Sequence, residues 1–95
     1  MTFAQMFRLI WIDAHVAEWG AVNRGDLCEA FGISLPQASA DLTRFQSCWP
    51  DTITYDRSAK RYLAGPASPI FYRAIRNDVL DAATSVLAAI EAMAP

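Results

Sequence analysis

The residues best suited to chemistry on this chain are cations that lie close together in the sequence. Arg57, Lys60 and Arg61 fall within five positions, although the whole chain has eight Lys and Arg residues. Cationic side chains on a protruding segment can bind phosphates or enter a narrow minor groove of DNA. Tyr55 and Ser58 add hydroxyl groups to the same segment. We therefore predict that these five residues contact the DNA backbone or the minor groove.

Polar side chains farther upstream suit the other half of DNA recognition, which is the reading of base edges. Gln37 can pair bidentately with adenine, and Arg44 can reach guanine or a phosphate. Ser34, Ser39 and Thr43 carry hydroxyls that suit either role. We predict that these five residues contact bases. Gln37 keeps a second interpretation, because Ser34 and Gln37 also have the spacing of a capping box that closes the start of a helix.

The elements that must position these residues are two short helices and a hairpin. Asn23 can cap a helix over 23–31, which Gly32 can end in the left-handed conformation. A second helix is predicted over 34–49, and the alternating residues of 52–64 predict the hairpin. This order is the layout of a winged helix-turn-helix, in which the second helix enters the major groove and the hairpin is the wing.

The second helix is predicted to have a buried face and an exposed face. Apolar residues that recur at a spacing of three or four form the buried stripe: Ala38, Leu42, Phe45 and Trp49. The opposite face is expected to hold Gln37, Ala40, Asp41 and Arg44.

Arg24 stands at the start of the first of the two helices. There it can join the free amides of the helix at a phosphate. The alternative is an ordinary solvated arginine.

A family resemblance follows from these residues. The motifs N-R-x-D-L-x-x-x-F-G-I-S-x-x-Q-A-S-x-D-L and Y-D-R-S-A-K-x-Y resemble the N-terminal domain of WYL-domain transcriptional regulators. The likeness is strongest to the repressors of bacterial phage-defence islands and weaker to DeoR-type regulators, and it runs from about Arg8 to about Pro69. It implies a module that binds palindromic operators in double-stranded DNA as a dimer. The chain has no W-Y-L tripeptide, and no small-molecule ligand is predicted.

The predicted fold class is mainly α with a small β-hairpin. Residues 1–65 form the winged helix-turn-helix, including an N-terminal helix over about 2–19 that Thr2 and Gln5 can open as a capping box. This helix is apolar on nearly all sides, so one face can cover the domain while the other needs a partner. Residues 66–95 are predicted to form a helical extension.

The extension is predicted to pair two copies of the chain. Its candidate dimerisation residues are Ile75, Val79, Ala83, Val86, Leu87 and Ile90. The alternative is a helix that folds back on its own domain.

Composition limits the function further. The chain has 95 residues, a net charge of −2 and a pI near 5.1, whereas DNA-binding domains are often basic. We therefore expect weak non-specific binding and more weight on base contacts. The lone His15 and the separate Cys28 and Cys48 do not predict a metal site or cofactor. Neither a membrane span nor a signal peptide is present in the sequence, which favours a cytoplasmic location in a bacterium.

The function predicted from the sequence is sequence-specific binding of double-stranded DNA by a transcriptional regulator, most simply a repressor. The helix over 34–49 would read the major groove, and the wing over 55–62 would contact the backbone or the minor groove. The alternative is a winged helix used for protein–protein assembly, which the acidic pI and the apolar surface favour. An enzyme is not predicted, because no set of catalytic groups is evident.

Overall fold

The computed structural model describes residues 1–70 and 88–92. Along the chain its elements are α1 (Phe3–Trp19), β1 (Ala21–Val22), α2 (Arg24–Phe31), α3 (Leu35–Cys48), β2 (Ile53–Asp56) and β3 (Arg61–Ala64). Residues 88–92 are helical and exposed, and they include Ile90. The other predicted dimerisation residues lie outside the described residues: Ile75, Val79, Ala83, Val86 and Leu87.

The ends of α1 follow from its sequence. Thr2 accepts a hydrogen bond from the Gln5 amide at 3.2 Å, and the Gln5 side chain accepts one from the Thr2 amide at 2.9 Å. This capping box satisfies amides that have no partner within the helix, as predicted. Gly20 ends α1 with a φ of 78°, a left-handed conformation that costs glycine little. The chain therefore turns sharply and enters β1 at once.

Side-chain caps also set the helix-turn-helix. Asn23 and Asp26 close the start of α2 with two reciprocal hydrogen bonds of 2.8 Å. Gly32 ends α2, and Ser34 caps α3 by accepting from the Gln37 amide at 3.3 Å. The turn between the helices is thus confined to residues 32–34. This confirms the predicted helix, turn and helix.

The sheet has one more strand than the sequence predicted. It is antiparallel in the order β1-β3-β2, with Ala21 opposite Leu63 and Val22 opposite Tyr62. The predicted hairpin is confirmed as β2 and β3, and β1 is a third strand that the sequence analysis did not predict. A strand of two residues cannot show the alternating pattern that identifies longer strands. Through β1, the wing is hydrogen-bonded to the segment that joins α1 to α2.

The hydrophobic core lies where the three helices meet the sheet. It is built from nine buried residues: Leu9, Ile12, Val16, Val22, Leu27, Ala38, Leu42, Phe45 and Ile53. In the predicted stripe of α3, the first three residues, Ala38, Leu42 and Phe45, are buried. The last, Trp49, is half-buried, and its ring centroid lies 5.1 Å from that of Phe45. The arrangement is a winged helix-turn-helix, which confirms the predicted fold class.

Asp41 is the residue of α3 that was predicted wrongly. It was expected on the exposed face, but it is only 3% exposed. Its carboxylate is bound by Arg8 of α1, with Arg8 Nε 2.5 Å from Oδ2 and Arg8 Nη2 3.3 Å from Oδ1. Burial of a charge is costly unless it is paired in this way. The exposed face of α3 is narrower than the sequence indicated.

Gly65 follows β3 at a point where backbone segments approach closely. A Cβ atom at this position would lie 2.3 Å from the carbonyl oxygen of Asp51, which is backbone and cannot swing away. The Gly65 amide donates to the carbonyl of Thr52 at 2.8 Å and fixes the approach. The lack of a side chain is therefore required here.

We predict that Gly65→Ala lowers the free energy of unfolding by about 1–3 kcal/mol, because the added methyl group forces the backbone at Asp51 to move. Chemical denaturation monitored by circular dichroism measures this change. Ala64→Ser is a matched control that also adds one atom, but at an exposed position, and should cost less than about 0.5 kcal/mol. Equal stability of the two variants would contradict the close approach.

Candidate nucleic-acid interface

A polar cleft opens between the start of α2, one flank of α3 and the wing. Its volume is about 270 Å³, and its walls come from distant parts of the chain. The lining residues are Asn23, Arg24, Ser39, Leu42, Thr43, Tyr55, Lys60 and Tyr62. Five of the residues predicted to contact DNA therefore meet in one place: Arg24, Ser39, Thr43, Tyr55 and Lys60.

The start of α2 places a cation beside backbone donors. Arg24 is the first residue of the helix and is exposed. Amides in a first helical turn have no partner within the helix, and the helix dipole adds positive potential there. The Asp26 carboxylate, which caps the helix, also lies 3.6 Å from Nε2 of His15 in α1. The capped end of α2 is thus held against α1, with Arg24 directed into the cleft wall.

The tip of the wing is a turn shaped by Asp56. Its Oδ1 accepts hydrogen bonds from the amides of Ser58 at 2.9 Å and Ala59 at 3.2 Å. Lys60 completes the turn with a φ of 53°. The predicted contacts Arg57, Ser58, Lys60 and Arg61 are all exposed around this tip. The turn therefore gathers three cations on a protruding surface, of which Lys60 faces the cleft.

Two tyrosines form the side of the wing nearest to α3. Tyr55 and Tyr62 are partners across β2 and β3, and their ring centroids are 5.0 Å apart. The two rings therefore pack on each other across the hairpin. Each phenol carries a hydroxyl that can donate to a phosphate oxygen. Both residues line the cleft beside Lys60.

The predicted base contacts on α3 divide between two flanks of the helix. Ser39 and Thr43, four residues apart, line the cleft. Gln37 and Arg44 do not line it, since their positions on the helix place them on the opposite flank. Ser34 serves as the N-cap of α3. Arg57, Ser58 and Arg61 also lie outside the cleft walls, around the tip of the wing.

Gln37 makes only half of the predicted capping box. Its backbone amide donates to Ser34, but its side-chain nitrogen Nε2 donates to Oδ1 of Asp41 at 3.0 Å. Because Arg8 holds the same carboxylate, a chain of polar contacts runs from α1 through Asp41 to Gln37. The sequence analysis missed Arg8. A signal was available, since Arg8 is the one Lys or Arg among the first 23 positions and lies within an apolar helix.

Two further observations concern the part of the chain that the structure describes. Within residues 1–70 and 88–92, no three His, Cys, Asp or Glu side chains are grouped so that they could hold a metal ion. A separate search of these residues finds no helix that is long and apolar enough to cross a membrane.

Known proteins share this sequence pattern. A family model described as the BrxR transcriptional regulator winged helix-turn-helix domain matches residues 4–84. The chain is 44% identical over 64 residues to the DNA-binding transcriptional repressor CapW of Stenotrophomonas maltophilia, which covers 67% of this chain and 21% of that protein. Proteins with the same name match from Escherichia coli, at 42% over 60 residues (63% of this chain and 20% of the relative), and from Pseudomonas aeruginosa, at 39% over 62 residues (65% and 21%).

The matched region is a minor part of these relatives. The chain spans about a fifth of the length of the curated relatives it matches. The likeness therefore concerns one domain, the domain that the cleft belongs to.

Proposed function

Because this chain belongs to the family of BrxR transcriptional regulator winged helix-turn-helix domains, we propose that it binds a specific sequence of double-stranded DNA and represses transcription. The observation that carries the proposal is the cleft between α3 and the wing. It brings the cations Arg24 and Lys60 together with the hydroxyls of Ser39, Thr43 and Tyr55. Phosphate oxygens and base edges are recognised by such donors.

In the proposed complex, α3 lies in the major groove with its N-terminal half towards the bases. Gln37, Ser39, Thr43 and Arg44 then face base edges, and Ser34 lies at the end of the helix that enters first. Arg24 and the wing contact the backbone on either side of the groove. Leu42 and Tyr62 complete the lining of the cleft.

The charge of the chain sets how strong each kind of contact is. The net charge is −2, yet the cations Arg57, Lys60 and Arg61 project together from the wing. One acid in α3, Asp41, is neutralised by Arg8 within the core. Local positive charge therefore supports DNA binding, while the negative total keeps binding to random sequence weak.

The names of the relatives support a repressor more than an assembly module. Each is called a DNA-binding transcriptional repressor, so the alternative of a winged helix used for protein–protein assembly is not favoured. Two statements stay predictions: that the chain has no catalytic activity, and that it is located in the cytoplasm.

A homodimer on a palindromic operator is part of the proposal. Two large apolar side chains at the ends of α1 lie in solvent, with Phe3 77% and Trp19 73% exposed. Phe3 and Phe7 also form, with Phe31 and Ile33, the wall of an apolar groove of about 450 Å³. Burial of such surface contributes about 25 cal/mol per Å², which supports pairing of two copies. Two copies can then read two half-sites one helical turn apart.

The wing provides the first test of DNA binding. Replacing Arg57, Lys60 and Arg61 together by Ala should weaken binding to selected and random duplexes alike, because phosphate contacts carry no sequence information. The slope of log Kd against log salt should fall by about 0.9 for each phosphate that the variant no longer binds. Fluorescence anisotropy at several salt concentrations measures both quantities. Arg57→Lys with Arg61→Lys keeps the charge and should retain binding. Unchanged affinity in the triple variant would exclude the wing as a DNA contact.

Base reading by α3 gives a second test. Gln37→Ala and Arg44→Ala should each cost about 1–3 kcal/mol on a duplex selected by the chain from a random pool, and much less on random duplex. Ser47→Ala, on the exposed C-terminal part of the same helix, should change neither. Equal losses on both duplexes would reassign the two residues to backbone contacts.

The dimer is tested by sedimentation velocity. The unmutated chain should sediment as a dimer at micromolar concentration, and Phe3→Glu or Ile90→Glu should yield folded monomers that bind the selected duplex poorly, since each introduces a charge on an apolar face. Thr54→Glu places the same charge on an exposed strand position and should leave the dimer intact. A monomeric unmutated chain would refute the dimer.

A further inference from the structure

A line of polar contacts connects the interior of the domain to the DNA-facing side of α3. Arg8 and Asp41 are 8% and 3% exposed and form a two-point ion pair. The outer end of the line is Gln37, whose Nε2 lies 3.0 Å from Asp41 Oδ1. Gln37 is itself only partly buried.

Apolar side chains of similar volume could fill the place of this pair. A buried ion pair is often no more stabilising than apolar side chains of similar volume, because both charges lose their hydration. The same core is otherwise packed by Leu9, Ile12 and Leu42. The only Lys or Arg of α1 nevertheless meets the only acid of α3 at this place. A role beyond packing would account for this pairing.

We propose that the Arg8–Asp41 pair is a positioning device that holds the Gln37 amide in the orientation that reads adenine. The inference rests on the proposed DNA binding and assigns no direct DNA contact to Arg8 or Asp41. Both are positioning residues, and Gln37 is the residue that touches the base.

The orientation follows from the chemistry of the three groups. A carboxylate accepts hydrogen bonds and cannot donate, so the nitrogen end of the Gln37 amide faces Asp41. The second N–H and the oxygen Oε1 remain available. They match the N7 acceptor and the N6 donor of adenine, which a glutamine contacts bidentately in the major groove. With the amide reversed, its oxygen would face the carboxylate and the matching pair would no longer form.

Arg8 makes this arrangement compatible with DNA. An unpaired carboxylate in a recognition helix would repel the phosphates, whereas the bound guanidinium makes the pair neutral. The pair also fixes the carboxylate from the α1 side, and its Oδ1 accepts from both Arg8 Nη2 and Gln37 Nε2. A side chain that is ordered before binding loses less entropy on binding, which favours affinity for the matching base.

The test is the double variant Arg8→Met with Asp41→Leu. It leaves the net charge unchanged and fills the space with apolar atoms, so folding and binding to random duplex should be retained. The ratio of affinities for the selected and random duplexes should fall about tenfold. In the unmutated chain, Gln37→Ala should lower this affinity ratio strongly. In the double variant, the same substitution should lower the ratio only a little further. Ser47→Ala should leave the ratio unchanged in both backgrounds.

A second measurement reports on the Gln37 amide without any change to the buried pair. In the unmutated chain, the Nε2 proton that is donated to Asp41 should exchange more slowly with water by NMR than the second Nε2 proton. Replacing the contacted adenine of the selected duplex with 7-deazaadenine should weaken binding by the unmutated chain and not by Gln37→Ala. This measurement decides the matter if the double variant does not fold.

The outcomes separate the inference from the proposed function. If no duplex is enriched from a random pool by the unmutated chain, the proposed function fails and the inference fails with it. If a duplex is enriched but the double variant keeps its full affinity ratio, or if 7-deazaadenine has no effect on the unmutated chain, DNA binding stands and the positioning role is wrong.

Discussion

The interaction on which the rest of the structure depends is the burial of one face of α3. Ala38, Leu42 and Phe45 are completely buried, and they fix the rotation of the helix about its axis. Once that rotation is set, Ser39 and Thr43 must face the wing, and Gln37 must lie on the other flank. The polar groups that can read DNA are thus placed by apolar contacts that never touch it.

The sheet holds the wing in place relative to the helices. β3 lies between β2 and β1, and β1 joins α1 directly to α2. A movement of the wing relative to the start of α2 would therefore break the pairs between β3 and β1. This arrangement keeps the Tyr55, Tyr62 and Lys60 side of the cleft at a fixed distance from the start of α2. Fixed spacing of donors matters because groups that are ordered before binding lose less entropy when they bind DNA.

Local signals allowed much of the fold to be predicted from the sequence. The Thr2 and Gln5 box, the Asn23 cap and the glycine that ends α2 depend on residues three or four apart, and each is confirmed. The family resemblance was carried by a run of residues in one module and is confirmed by the family model over residues 4–84.

The errors come from contacts between distant residues. Asp41 was predicted to be exposed because of its position in the helical repeat of α3. Its burial is possible only because Arg8, 33 residues earlier in the chain, binds its carboxylate. The short β1 gains its identity from pairing with β3, which no local pattern reveals. The candidate DNA contacts stay predictions, and their division into a cleft and an opposite flank of α3 could be found only from the packed structure.

The central claim is that α3 and the wing form a DNA-binding surface, and NMR titration with a duplex selected from a random pool tests it most directly. The account predicts that backbone amide shifts concentrate at residues lining the cleft and the wing tip, such as Arg24, Ser39, Thr43 and Lys60. Shifts confined to the apolar outer side of α1 around Phe3, or no shifts at any salt concentration, would contradict it.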